Sequence, residues 1–200
     1  MDVTGASALF MPLRSGRNAG TTRVYRLTIT LERIRPAVWR RFEVPGAITL
    51  AKLHRVLQRV MGWRDTHLHQ FFVDGRGVGV RDPESGDQVE DEKKLTLAEV
   101  APAVGTKLVY LYDFSDYWKH EVLVVAIDPP GETRHPICLA GERACPPEEC
   151  GGWNGYEVFL TAIQDPRHEE YEEMLAWAGG PFDPEAFDVQ AVNRSLKAMR

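Results

Sequence analysis

Asp113, Asp116, Trp118 and His120 place two carboxylates, an indole and an imidazole in one short stretch of chain, Tyr110 to His120. Carboxylate with imidazole is a usable ligand set for zinc, manganese or iron. His67 and His69 add a His-x-His spacing, which on a strand presents two further imidazoles on one side. One function for this set is a metal-dependent, hydrolase-like reaction built on Asp113, Asp116 and His120. The alternative is structural: Asp116 makes an Asx-type turn bond, Asp113 anchors the Trp118 indole N–H or Arg40, and the histidines are packed hydrogen-bonders. Turn aspartates and strand histidines are common, so the structural assignment is preferred and no catalytic residue is assigned.

The elements that must position this cluster follow from periodicity. Leu108, Tyr110, Tyr112 and Phe114 alternate with other residues before the turn, and Val122 to Val125 continue after it, so a β-hairpin is predicted around Ser115-Asp116. Symmetric pairing about those two residues sets Asp113 opposite Trp118 and Leu111 opposite His120. Asp113, Trp118 and His120 would then share a face, with acid and imidazole as diagonal neighbours about 7–8 Å apart. Upstream, Tyr25, Leu27, Ile29 and Leu31 alternate with polar residues as a half-buried strand, and Ala37 to Val44 reads as its hairpin partner. Leu50, Leu53, Val56, Leu57, Val60 and Met61 form a helical stripe between an N-cap at Thr49 and a stop at Gly62. His67 to Val73 and Val78 to Val80 read as strands, Arg81 to Lys94 as a polar loop, and Leu95 to Val100 as a short helix. Beyond Pro129-Pro130-Gly131, His135 to Cys150 reads as irregular chain. Helices are expected over Tyr156–Gln164, His168–Ala178 and Val189–Met199.

The chain has 200 residues, an apolar fraction of 44%, and no run near the ~20 apolar residues of a membrane helix. No membrane partner is therefore expected. Its three cysteines are read as reduced thiols of a cytoplasmic protein. Cys138, Cys145 and Cys150, with His135, are candidate zinc ligands, but Cys-x6-Cys and Cys-x4-Cys are looser than the spacing of structural zinc sites, so no metal is assigned. Glu148 and Glu149 are candidate paired carboxylates, or a bend and cap before the next helix. No phosphate-binding glycine loop, nucleophile elbow or catalytic triad is present, and no cofactor is specified. The net charge of −5 divides into +9 over residues 1–64 and −14 over residues 65–200. Arg26, Arg40, Arg41, Lys52, Arg55 and Arg59 could meet nucleic-acid phosphates or an acidic protein, or the acidic half of the same chain.

Four blocks resemble one known family. They are Ile34-Arg35-Pro36-Ala37-Val38-Trp39-Arg40-Arg41 behind the first strand; Met61-Gly62-Trp63 with His67-Leu68-His69-Gln70-Phe71; Tyr112 to His120; and Cys145-Pro146-Pro147-Glu148-Glu149-Cys150-Gly151-Gly152 with Gly155-Tyr156. Their order and wording are similar to the plasmid pRiA4b ORF-3-like family, with Ser115 where that family more often has glycine. The resemblance implies a compact α+β domain found near mobile elements. A resolvase label attached to such proteins implies recombinase chemistry, which these residues do not support: neither a nucleophilic serine beside arginines nor a terminal helix-turn-helix is present.

The expected architecture is α+β, with an antiparallel or mixed sheet in the order ββ-α-β-β-α-ββ, helices on one face and a helical subregion over about 153–200. One domain over 23–200 follows a disordered tail over 1–22. The expected function is a non-catalytic binding module for a protein or nucleic acid; the metal-dependent hydrolase stands as the alternative.

Overall fold

Alternation from Val24 onward is realised as β1 (Val24–Leu31), which buries Tyr25, Leu27, Ile29 and Leu31 and leaves Arg26, Thr28 and Thr30 half-buried on the other face. This computed structural model describes residues 23–80, 89–129 and 135–199. The tail expected over 1–22, and the greater part of the loop expected over 81–94, lie outside the described residues.

The remaining strands are β2 (Trp39–Pro45), β3 (His69–Val73), β4 (Arg76–Gly79), β5 (Glu90–Asp91), β6 (Lys107–Tyr112), β7 (Trp118–Asp128) and β8 (Ile137–Glu142). They form one eight-stranded mixed sheet in the order β5-β4-β3-β6-β7-β1-β2-β8, in which only β4 and β5 run parallel. The class is α+β, as expected. Residues 135–150 are not all irregular, because β8 pairs with β2 there. The apolar residues of β8 are interrupted by Gly141, whose missing side chain admits Arg40 and Phe187, and this masks the strand pattern. The side chain of Asn193 accepts from the Cys138 N–H at 2.8 Å and donates to the Cys138 carbonyl at 2.9 Å, covering this edge of the sheet.

Helix α1 (Leu50–Met61) begins at Thr49, whose hydroxyl accepts the Lys52 N–H, and ends at Gly62 with φ 99°, a conformation that suits glycine. Helix α2 (Leu97–Val100) starts with the Thr96–Glu99 capping box, and the two starts interlock through Leu50 N–H to Leu95 O and Leu97 N–H to Ile48 O. Helices α3 (Gly152–Gln164), α4 (Tyr171–Trp177) and α5 (Val189–Lys197) complete the chain. The inward residues of the strands, the buried stripe of α1, and Tyr156, Phe159 and Leu196 belong to one core. No helix among the described residues is long and apolar enough to cross a membrane.

Arg40 joins three of these elements. Buried at 2% exposure, it donates to Val60 O at the end of α1, to Trp39 O, and to Glu142 O and Arg143 O beside β8, while its guanidinium sits 4.3 Å from the Phe187 ring. Placed there, Arg40 cannot face an external partner. Arg40→Leu strips donors from several buried carbonyls, and the expected loss is about 3–5 kcal/mol of stability. A urea midpoint lowered at unchanged slope checks it.

Candidate functional site

The β6–β7 turn has a different register from the expected one. Tyr112 pairs with Trp118 and Tyr110 with His120, so the turn is the five-residue loop Asp113–Tyr117, closed by Tyr117 N–H to Asp113 O at 2.7 Å. The shift arises because Asp113 and Tyr117 both adopt left-handed φ, 58° and 57°, and the Asp113 carboxylate accepts the N–H groups of Ser115 and Asp116. Asp113 therefore leaves the ladder. Trp118 and His120 share their face with Tyr110 and Tyr112 and point into the core.

The expected cluster separates accordingly. His120 is fully buried, packed against Trp63 and Tyr110, with Nδ1 3.2 Å from Tyr110 O. Asp116 accepts the Gly151 N–H at 3.2 Å, so Asp113, Asp116 and His120 each have separate partners. His67 precedes β3 and faces acids, its Nε2 lying 2.6 Å from Glu149 Oε1 and 3.8 Å from Asp113 Oδ2 without a directed hydrogen bond to either. His69 lies elsewhere, paired with Glu92 at 2.7 Å and stacked on His54. Cys138 is buried on β8. Burial pushes the Cys145 thiol well up and that of Cys150 to about 12, which opposes the thiolate form. Among the described residues no group of three or more His, Cys, Asp or Glu side chains is arranged to hold a metal ion.

What the structure does bring together is three separated segments: the exit of α1 (63–68), the β6–β7 turn, and residues 146–152 before α3. Glu148 is their common acceptor. Its carboxylate, with the side chain 5% exposed, takes Tyr112 O–H at 2.7 Å, Arg64 Nε at 2.9 Å, the Arg64 backbone N–H at 3.2 Å and Thr66 Oγ1 at 3.3 Å. Burial disfavours its charge, but the bonds from Tyr112, Arg64 and Thr66 outweigh that and hold its carboxyl below the ordinary range. The same environment pushes the Tyr112 phenol up to about 12, through burial and then its bond to Glu148. The Trp63 indole donates to Pro146 O at 3.0 Å, and a Cβ on Gly152 would stand 2.5 Å from Asp116 O, so the third segment fits closely against the other two. Asp65, Asp113, Tyr117 and Glu149 all hold φ between 57° and 67°, a concentration of left-handed backbone around one place.

Large apolar side chains are exposed on this platform, among charged ones such as Arg64 and Glu149. Leu68, Phe114 and Tyr117 are 65%, 49% and 61% exposed, on segments joined by Asp113 N–H to Leu68 O and the turn-closing bond. Beside them lies a cleft of about 490 Å³ lined by Arg33, Asp116, Tyr117, Lys119, Gly151 and Trp153, with the Arg33 guanidinium 5.4 Å from the Trp153 ring. The basic residues are dispersed. Arg26 pairs with Glu43 and Asp128, Arg41 is exposed beside Trp39, and Lys52, Arg55 and Arg59 lie exposed along α1.

Sequence reasoning did not single out His54 or Gln58, and read Tyr110 and Tyr112 only as apolar alternation, without a role for their hydroxyls. The signal for the first two was available: two polar residues four apart on the buried side of an amphipathic helix.

The pH dependence of folding reports the His120 environment. Burial pushes its imidazole down to about 4, against about 6.5 in the unfolded chain. Between those values the unfolded chain binds the extra proton, so stability is full above about pH 6.5 and falls by on the order of 3 kcal/mol toward pH 4. His120→Leu is expected to flatten the slope by up to one proton equivalent across that window, measured by denaturant melts from pH 4 to 7.

Comparison with known proteins places these features in a family. The family model for plasmid pRiA4b ORF-3-like protein matches residues 23–191. The chain is 38% identical over 175 residues to the uncharacterized protein y4hQ of Sinorhizobium fredii, covering 86% of this chain and 90% of that one. It is also similar to the crystal structure of a protein of unknown function, MM3350, from Methanosarcina mazei Go1. That match has a TM-score of 0.77 and 39% identity, covering 84% of this chain and 96% of the other.

Proposed function

The chain belongs to the plasmid pRiA4b ORF-3-like family, and from that premise we propose that it is a non-catalytic binding module, working in a plasmid or mobile-element setting, that takes a protein segment on the platform around the β6–β7 turn. The observation that carries this reading is the exposure of Leu68, Phe114 and Tyr117 on backbone that is already fixed by Asp113 and Glu148. Large apolar side chains held on a rigid support contribute affinity without the entropy cost of ordering a loop on binding. The polar groups around them support binding over chemistry. Glu148, Asp113 and Asp116 accept structural hydrogen bonds and His120 is buried, so these four groups hold the fold and do not converge as a nucleophile, base and oxyanion site.

A nucleic-acid partner is the second reading, favoured by α1, which carries Lys52, Arg55 and Arg59 and no acidic residue. Selection of a displayed random-peptide library on the folded protein separates the two. A consensus peptide is expected whose affinity falls at least tenfold in Phe114→Ser/Tyr117→Ser, about 1.4 kcal/mol or more, at unchanged melting temperature. No enriched consensus, together with a duplex-DNA mobility shift abolished by Lys52→Glu/Arg59→Glu, would transfer the function to α1.

A further inference from the structure

The sheet has two faces, and the core lies on one of them. Leu108, Tyr110 and Tyr112 of β6 and Val122 and Val124 of β7 belong to that core, together with the stripe of α1. The alternate residues point the other way, and across β3, β6 and β7 several of them are apolar. Phe72 pairs with Val109, Leu111 follows two residues nearer the turn, and Leu123 pairs with Lys107. None of Phe72, Val109, Leu111 and Leu123 belongs to the core, yet Leu111 is only 6% exposed. The ionic groups among them are paired, Lys107 with Glu121 at 2.8 Å and Lys119 with Glu32 at 3.1 Å. An open face of an antiparallel sheet is ordinarily polar, so this electrically balanced strip suits an apolar covering. It runs up β6 to the turn, where Asp113 N–H to Leu68 O joins it to the platform of Leu68, Phe114 and Tyr117.

The chain carries a covering of the right kind. Ala8-Leu9-Phe10-Met11-Pro12-Leu13 is an apolar block in an amino-terminal stretch that is otherwise mostly small and polar. Its reach follows from the register. Val24 pairs with Asp128 and Leu31 with His120, so β1 starts beside β7 at the end far from the turn and runs towards it. Leu123 pairs with Thr28, four steps along β1 from Val24 and so about 13 Å away. Tyr117 lies at the level of about ten steps, roughly 33 Å from Val24. Six residues span about 20 Å when extended, which matches the distance from Leu123 to the turn. Residues 14–22 cover up to about 30 Å, so they bridge from β1 to the strip without being fully extended. A linker this short gives an effective concentration in the millimolar range, and a contact of modest strength then keeps the strip covered.

We propose that residues 8–13 cover the apolar strip of β3, β6 and β7 and set Leu9 and Phe10 against Leu68, Phe114 and Tyr117. The chain's own amino-terminal segment thus occupies the platform, and an external segment must displace it. That competition rests on the function proposed above; the docking of residues 8–13 does not.

NMR of the full chain tests the docking. In Leu9→Ser/Phe10→Ser the amide signals of Leu68, Phe72, Leu111, Phe114 and Leu123 are expected to shift from wild type, while those of β8 and α5 hold. A synthetic peptide of residues 5–16 is expected to bind this variant and return the signals to their wild-type positions. It should bind the wild-type chain about tenfold more weakly, because the attached segment competes. Spectra that agree outside residues 1–22 overturn the proposal. So do shifts centred elsewhere, such as around Trp177. Wild-type signals that move on dilution, with a two-chain mass, overturn it in favour of a second copy as the occupant. A peptide library that enriches nothing on the Leu9→Ser/Phe10→Ser variant sinks the external-partner reading and leaves the docking signals intact. An enriched consensus with no effect of the substitutions does the reverse.

Discussion

The buried carboxylate of Glu148 is the joint on which the platform depends. Removing a charge from water is costly unless every lone pair finds a donor, and here Tyr112, Arg64 and Thr66 supply them from two segments far from Glu148 in sequence. Arg64, 79% exposed in its side chain, adds little as a surface ion pair; the Tyr112 hydroxyl matters more because its bond is short and partly buried. The arrangement explains why residues 63–68 and 146–152, with little regular structure of their own, sit firmly against the end of the hairpin.

A common logic runs through the polar interior. Tyr110 and Tyr112 alternate along β6, and each phenol holds a different part of the α1 exit, the first through His54 and Gln58, the second through Thr66 and Glu148. Arg40 performs a similar task at the same end of α1, with carbonyls instead of carboxylates. Such satisfied networks specify one arrangement of loops that apolar packing alone would leave free. They commit the carboxylates of Glu148 and Asp113 to structural hydrogen bonds, while Leu68, Phe114 and Tyr117 stay exposed.

Much of the fold was legible in the sequence. The alternation from Tyr25, the capped stripe from Thr49 to Gly62, and the four family blocks led to the sheet, to α1 and to the family. The site was legible as a place and not as a geometry. His67, Asp113 and Asp116 do lie at the platform, yet the hairpin register moved by one residue because a left-handed Asp113 lengthened the turn, and that put His120 in the core. His67 and His69 parted because β3 begins only at His69, so their two-residue spacing does not fall within one strand. Arg40 reads as a surface cation beside Arg41; only the glycine at 141 on the neighbouring strand makes room for it inside. The hairpin and β3 misses lie in local turn and strand-boundary geometry, the Arg40 miss in a partner distant in sequence, and periodicity encodes neither.

Amide hydrogen exchange on Glu148→Gln, which keeps the size of the side chain and removes its charge, tests the platform most directly. Faster exchange is predicted at 64–68, 113–117 and 150–152 together, while the β1–β2–β7 ladder stays protected. Loss confined to 64–68, or full protection at all three segments, would contradict the account.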